Sequence, residues 1–267
     1  MPFSKDILAG SSGQGGSGFY DHQITNSCRF DSGDESGLRF GGASGTTGTP
    51  TNVQKGTYAL WLKRSKIGND YQNVFHAHNG SNGRNIAFDL SGTDDTFGFE
   101  QGGSSSAKFQ DTSAWYHFVL AFDTTQGSND DRLKVYVNGS ELDQFNASIS
   151  GNVQMFESGQ QLWVGRNKGN GSGFDGLMAD VIYIDGQQLA PTAFGETKED
   201  PDGNNVWIPI DYAGTYGNNG FRLEFKQNGT GANSSGIGAD TSGNDHHFAL
   251  NGIGADHQSL DSPTFGG

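Results

Sequence analysis

Apolar and polar residues alternate with period 2 along most of the chain from Cys28 onward. In Thr57–Arg64, Tyr58, Leu60 and Leu62 fall on one face and Ala59, Trp61 and Lys63 on the other. In Trp115–Asp123, Tyr116, Phe118, Leu120 and Phe122 alternate with Trp115, His117, Val119 and Ala121. Arg132–Asn138 sets Leu133, Val135 and Val137 against Arg132, Lys134 and Tyr136. That run meets Asn138-Gly139, a pair that favours a tight hairpin because both residues tolerate positive φ. Further runs at Asn85–Leu90, Thr96–Gln101, Gln161–Arg166 and Leu177–Asp185 predict strands, separated by segments rich in Gly, Ser, Asn and Asp as turns require. No segment carries a sustained i, i+3, i+4, i+7 stripe. The best helical candidate is the short piece Ala190–Glu196, where Pro191 suits a first helical position. Short strands without intervening helices pair antiparallel, and two sheets packed face to face bury them at this length. The pattern predicts an all-β sandwich.

The two ends read differently. Residues 1–27 place a Gly/Ser-rich tether, Gly10 to Gly18, between two small apolar anchors, Phe3/Ile7/Leu8 and Phe19/Tyr20. A frayed terminus and a docking arm that orders against a neighbouring subunit both fit this composition. Residues 191–267 hold two strand-like runs, Val206–Ile210 and Phe221–Phe225, and a short apolar piece, Phe248-Ala249-Leu250. Between the two runs lies a turn-rich stretch with two exposed-looking tyrosines, Tyr212 and Tyr216. So few apolar residues make a poor separate core. The expected division is an arm (1–27), a sandwich (28–190) and a C-terminal β/loop extension packed on it (191–267).

Composition narrows the function. The chain has 43 glycines in 267 residues, more than twice the average usage of about 7%, while aromatics reach 12% with 19 Phe. Large rings offset a shortage of aliphatic side chains, which a disordered chain would not do. Sixteen basic against 30 acidic residues give a net charge of −14, which argues against a nucleic-acid partner. No apolar run approaches the roughly 20 residues of a membrane span, and Met1 to Gly10 lacks the apolar stretch of a secretory signal. A lone cysteine, Cys28, rules out an intrachain disulfide.

Candidate chemistry is sparse. Sandwich glucanases place carboxylates in an E-x-D-x-x-E pattern, and the nearest match, Glu141-Leu142-Asp143-Gln144-Phe145-Asn146, ends on an Asn that cannot serve as an acid. His76-Ala77-His78 puts two imidazoles on one side of a strand, able to bind a transition metal, but no third ligand lies near in sequence and Asn79-Gly80 favours solvated histidines at a hairpin rim. His246-His247 is weaker, because adjacent strand residues point to opposite faces. Oxygen ligands for calcium are plentiful at Asp94-Asp95, Asn129-Asp130-Asp131 and Asp200 to Asp202, yet none matches a calcium loop. No cofactor or metal is expected; calcium is possible at these carboxylates but has no motif to support it. No nucleophile elbow, zincin motif or phosphate loop occurs. Trp115, Trp207, Tyr212 and Tyr216 are the aromatics available to stack on sugars.

Several pieces resemble a known family. Ser27-Cys28-Arg29-Phe30 with Gly37-Leu38-Arg39-Phe40, then Tyr58 to Arg64, resembles the opening of a concanavalin A-like (laminin G-like) jelly roll. Trp115 to Val119, followed by Leu133 to Gly139, is similar to its central strands, and Phe174 to Val181 to its closing strand. Tyr216-Gly217-Asn218-Asn219-Gly220-Phe221, Asp240-Thr241-Ser242-Gly243-Asn244 and Asp261-Ser262-Pro263-Thr264 resemble a version found in bacteriophage structural proteins. The resemblance implies a two-sheet antiparallel jelly roll and a non-enzymatic virion protein, located in the virion as a tail-fibre, head-fibre or capsid-decoration subunit. It would dock on other virion subunits through Phe3, Ile7, Leu8, Phe19 and Tyr20, self-associate, and contact host surface glycans through Trp207, Tyr212 and Tyr216. A free carbohydrate-binding lectin and a glycoside hydrolase are the alternatives.

Overall fold

The structure is a computed structural model and describes residues 18–41, 45–68, 71–78, 83–88, 95–100, 102–142, 149–169 and 172–264. Its strands in chain order are β1 (Ser27–Phe30), β2 (Gly37–Arg39), β3 (Lys55–Arg64), β4 (Gln72–His78), β5 (Gly83–Phe88) and β6 (Thr96–Phe99). Then come β7 (Gly103–Lys108), β8 (Tyr116–Asp123), β9 (Leu133–Val137), β10 (Ser140–Glu141), β11 (Gln161–Val164) and β12 (Gly176–Asp185). The remainder are β13 (Gly195–Glu199), β14 (Asn205–Pro209), β15 (Phe221–Leu223), β16 (Ala249–Asn251) and β17 (Gln258–Ser259). Among the described residues, one sheet has the order β10-β9-β8-β3-β12-β1-β17, with β15 also on β12, and the other β16-β2-β11-β4-β5-β6-β7. The ladders in both are antiparallel, so the protein is an all-β sandwich, as the alternation predicts, and its two sheets are consistent with the jelly roll that the resemblance implies.

The core between the sheets is built from rings. The Phe118 ring centroid lies 4.3 Å from that of Phe97, 4.9 Å from Phe109 and 5.8 Å from Phe88. Each buried Phe contributes about 2–3 kcal/mol of transfer free energy, which makes up for the few aliphatic residues. Arg64 is also fully buried in this layer, its guanidinium 4.3 Å from the centre of the Phe88 ring and 2.9 Å from Asp95.

The first sheet is covered on both faces, which explains why nearly every residue of β3 and β12 is buried. On its outer side Ala59, Val119, Ile182 and Ile184 pack under Phe194 and Tyr212 from the C-terminal part. Trp61 and Ala179 pack under Ile24, with Trp115 and Trp207 at the margin. The hairpin β13–β14 lies over the tight turn at Asn138 and Gly139, both at positive φ. A Cβ on Gly139 would fall 2.4 Å from the Trp207 ring, so this turn needs glycine for space as well as for φ.

β12 carries a bulge. Its register on β3 shifts between Ala179 and Ile182, and Asp180 within it has φ 45. The bulge divides the opposite edge of β12, so β1 pairs with Gly176–Met178 and β15 with Val181–Tyr183. Asp180, turned by the bulge, takes the buried Arg222 of β15 at 2.7 Å.

Three expectations are corrected. The helical piece at Ala190–Glu196 is one 3-10 turn, Pro191–Ala193, because β13 begins at Gly195. Ile24 and Ser27, assigned by sequence to the arm, belong to the fold: Ser27 opens β1, and Ile24 accepts hydrogen bonds from the Ser262 and Thr264 hydroxyls and donates to Thr264. The C-terminal part does more than pack on the sandwich, since β15 and β17 join one sheet and β16 the other. No helix among the described residues is long and apolar enough to cross a membrane.

Candidate functional site

The second sheet offers its outer face. Phe75 and Ala77 of β4 enter the core, so His76 and His78 point the other way. By the same alternation Leu162 and Val164 leave Trp163 on the outer face, Leu38 leaves Arg39, and Ile86 leaves Asn85. The ladder register aligns them: Arg39 is opposite Trp163, Trp163 opposite His76, and His76 opposite Asn85. Glu100, just past β6, continues the row, its N–H donating to the Asn85 carbonyl at 2.9 Å. One line of side chains, Arg39–Trp163–His76–Asn85–Glu100, therefore crosses the sheet.

The line is held by charge and hydrogen bonds. The guanidinium groups of Arg39 and Arg166 lie 5.7 and 5.3 Å from the Trp163 ring centre. Arg166 also donates to the Glu35 carbonyl at 2.7 Å and faces its carboxylate at 3.6 Å. Asn85 donates its Nδ2 to the Glu100 carboxylate, which leaves Oδ1 to accept from His76. His76 Nδ1 is thus the protonated nitrogen and Nε2 keeps its lone pair. Burial lowers the His76 pKa against the opposing pull of Asn85, so the ring is neutral at pH 7. Tyr71, beside Glu100, has its phenol pushed up by burial and by that carboxylate.

Two atoms in this row are left over. His76 is 5% exposed and Trp163 9%, yet among the described residues neither His76 Nε2 nor Trp163 Nε1 has a hydrogen-bond partner. Beside them Gly83 leaves a gap: a Cβ there would stand 3.7 Å from His76 Cε1 and 3.6 Å from Asn85 Nδ2. The sequence flagged His76 and His78, whose rings stack at 5.6 Å, as solvated histidines or else a metal pair; His76 is instead buried, and Trp163 was not flagged. Among the described residues no group of three or more His, Cys, Asp or Glu side chains is placed to hold a metal ion.

The other sequence candidates lie elsewhere. Phe3, Ile7 and Leu8 are outside the described residues, as are Asp94, Asp143 and Asn146. Phe19 and Tyr20 are half-buried, edge to face at 5.0 Å, with Lys198 of β13 at 5.7 Å from the Phe19 ring. Tyr212 is not exposed, a correction to the sequence reading: its ring stacks on Phe194 at 5.3 Å and its hydroxyl donates to the Thr215 carbonyl. Tyr216 is half-buried against Tyr212. Trp207 donates Nε1 to His117 Nδ1 at 3.0 Å, and Trp115 donates to Asp261, so both indole N–H groups serve the fold. Three of the carboxylates weighed for calcium have structural partners. Asp95 pairs with Arg64, Asp131 bonds the Ser128 hydroxyl, and Asp200 accepts from Asn204. His246 and His247 bond the Asn218 carbonyl and the Asp240 N–H.

Residues 40–182 match the laminin G-like family described as the concanavalin A-like lectin/glucanases superfamily. Among solved structures, the chain is similar to a heptameric SAP-like pentraxin from Limulus polyphemus at 15% identity, covering 63% of this chain and 80% of that one, TM-score 0.45. Domain 4 of an extracellular arabinanase from Geobacillus stearothermophilus, in complex with arabinotriose, matches at 18% identity over 53% of this chain and 65% of that one, TM-score 0.39. A tailspike protein of an Escherichia coli bacteriophage matches at 14% identity over 62% of this chain but only 23% of that one, TM-score 0.43. No curated protein matches the chain.

Proposed function

The chain belongs to the concanavalin A-like lectin/glucanases superfamily, and we propose that it is a non-enzymatic structural subunit of a bacteriophage virion, a fibre or capsid-decoration protein that presents a saccharide-binding face to the host. The fold alone does not choose among lectin, hydrolase and structural roles. The observation that carries the reading is the row Arg39–Trp163–His76–Asn85–Glu100, in which an aromatic ring, an imidazole and an amide converge on one sheet face. Such a mix of apolar surface with a few placed polar groups suits a sugar. The row holds one carboxylate, Glu100, already engaged by Asn85, whereas glycoside hydrolysis by the usual routes uses two. The virion assignment draws on the bacteriophage-like pieces at 216–221, 240–244 and 261–264, and copies on a particle would associate symmetrically. The N-terminal segment with Phe3, Ile7, Leu8, Phe19 and Tyr20 is assigned to docking on other virion subunits.

A glycan array probed with the purified chain, with a reducing-end assay on the polysaccharides that bind, tests the first part. Binding without release of reducing ends is the expected result; released reducing ends would make the protein a hydrolase. Antibody labelling of intact particles tests the second, and label confined to particle-free lysate would remove the virion role.

A further inference from the structure

We propose that His76 Nε2 and Trp163 Nε1 act together as an acceptor and a donor that bind a single hydroxyl group of a neutral saccharide. This rests on the saccharide-binding reading above and specifies its ligand class and contact atoms. The two residues are direct cross-strand partners on the outer face, so their side chains start side by side, about 5 Å apart at Cβ. Both are more than nine-tenths buried, and among the described residues both leave one ring nitrogen unpartnered. Their roles are fixed and opposite. An indole nitrogen can only donate. The Glu100–Asn85 bond orients the amide so that His76 Nδ1 donates, and Nε2 can then only accept.

A hydroxyl satisfies both atoms at once, giving its proton to Nε2 and taking the indole proton on its oxygen. A carboxylate would satisfy Trp163 and face the His76 lone pair, and an ammonium would do the reverse. Of the two cations beside Trp163, Arg166 is matched by Glu35 and Arg39 faces the indole ring itself. His78 on the same strand, Glu100 across β5 and Lys168 beyond β11 are the other charged or titratable groups acting on His76. Access is past Gly83, where a side chain would stand against the His76 ring edge.

The test uses the whole chain on an array of neutral hexose and N-acetylhexosamine oligosaccharides beside sialylated and uronate-bearing ones. It compares wild type with Trp163→Phe, which keeps an aromatic ring but a smaller one and removes the N–H, and with Gly83→Val, which fills the gap. Neutral saccharides should bind, Trp163→Phe should weaken them about tenfold, the loss of one hydrogen bond, and Gly83→Val should abolish binding. The urea midpoint of Trp163→Phe should fall only modestly, through the smaller ring and its weaker contacts with Arg39 and Arg166, so the variant stays folded on the array; a variant that is unfolded in buffer would mark Trp163 as structural and overturn the assignment. Saccharide binding that neither variant changes would overturn the contact atoms and leave the saccharide-binding reading standing. Binding to anionic glycans alone would overturn the neutral class. Absence of binding to any saccharide would remove the reading on which the inference rests.

Discussion

Asn244 donates its side-chain nitrogen to the carbonyl of Gly220 at 2.9 Å and, with its second proton, to that of Gly217 at 2.7 Å. His246 meets the Asn218 carbonyl at 2.7 Å, and Asn219 exchanges hydrogen bonds with Gly48 through both ends of its amide. Asp185, at the end of β12, accepts from the N–H groups of Thr51 and Asn219. Two glycine- and asparagine-rich segments distant in sequence thus lock each other and the loop at 48–52. Removing the Asn244 amide leaves two loop carbonyls without their donor. Asn244→Ala should lower stability by about 1–2 kcal/mol. Asn244→Asp should cost at least as much, because a carboxylate would face two carbonyl oxygens. Urea denaturation of the two variants checks both values.

His117 sits between the rings of Trp61 and Trp207, at 4.8 and 6.0 Å, and accepts from the Trp207 N–H. Burial pushes its pKa down to about 3. The folded state therefore holds the neutral ring, while an unfolded histidine takes a proton near pH 6.5. The unfolded chain binds the extra proton between those values, so this contribution is complete above about pH 6.5 and is lost as pH falls toward 3. At pH 4 the loss amounts to about 3 kcal/mol. His117→Gln keeps an acceptor for Trp207 and does not titrate. The difference in unfolding free energy between wild type and this variant should shift toward the variant from pH 7 to pH 4; a constant difference would contradict the buried neutral ring.

Arg64 and Asp95 form an ion pair inside the aromatic core. Burial works against the Asp95 carboxylate, but donors from Gln110, the Gly68 N–H and Arg64 together hold its pKa below the usual carboxylate range. Arg64 also donates to the Phe109 carbonyl at 2.7 Å. Arg64→Leu should cost about 3–5 kcal/mol, because it leaves a buried carboxylate without its cation. Adding Asp95→Asn should recover part of that loss. A double-mutant cycle by chemical denaturation measures the coupling.

The sandwich was legible because β3, β8, β9 and β12 alternate cleanly, and the hairpin after Val137 announces itself in Asn138-Gly139. What covers the outer side of the first sheet was not. Tyr212 lies in a turn-rich stretch that looks exposed, and its burial comes from Phe194 and the outer faces of β3, β8 and β12, contacts that no local pattern encodes. The candidate site was half legible. His76 and His78 stood out by their spacing, but their partner Trp163 is brought alongside only by strand register between distant segments. Its signal was present in the alternation of Gln161–Arg166, which leaves Trp163 opposite to Leu162 and Val164. The bulge at Asp180 had no such signal, since a positive φ at an aspartate follows from the contact with Arg222 and not from its neighbours.

The start of the described chain gives the last prediction. Ile24 buries its side chain against Trp61 and Ala179 and shares three hydrogen bonds with Ser262 and Thr264. Lys198 adds an ion pair to Asp21 at 3.0 Å, which is exposed and worth little. Burial of one isoleucine and these bonds stabilise the fold by about 3–5 kcal/mol. A chain that starts at Cys28 should therefore melt about 10 °C below one that starts at Gly18, because it loses Ile24 and the first residue of β1. Differential scanning calorimetry of the two truncations checks the gap. Equal melting temperatures would mean that residues 18–27 serve only an external partner. A side-chain double variant separates packing from the proposed docking. If Phe19 and Tyr20 dock on another subunit, a Phe19→Ala/Tyr20→Ala chain should melt within a few degrees of wild type and yet fail to enter particles.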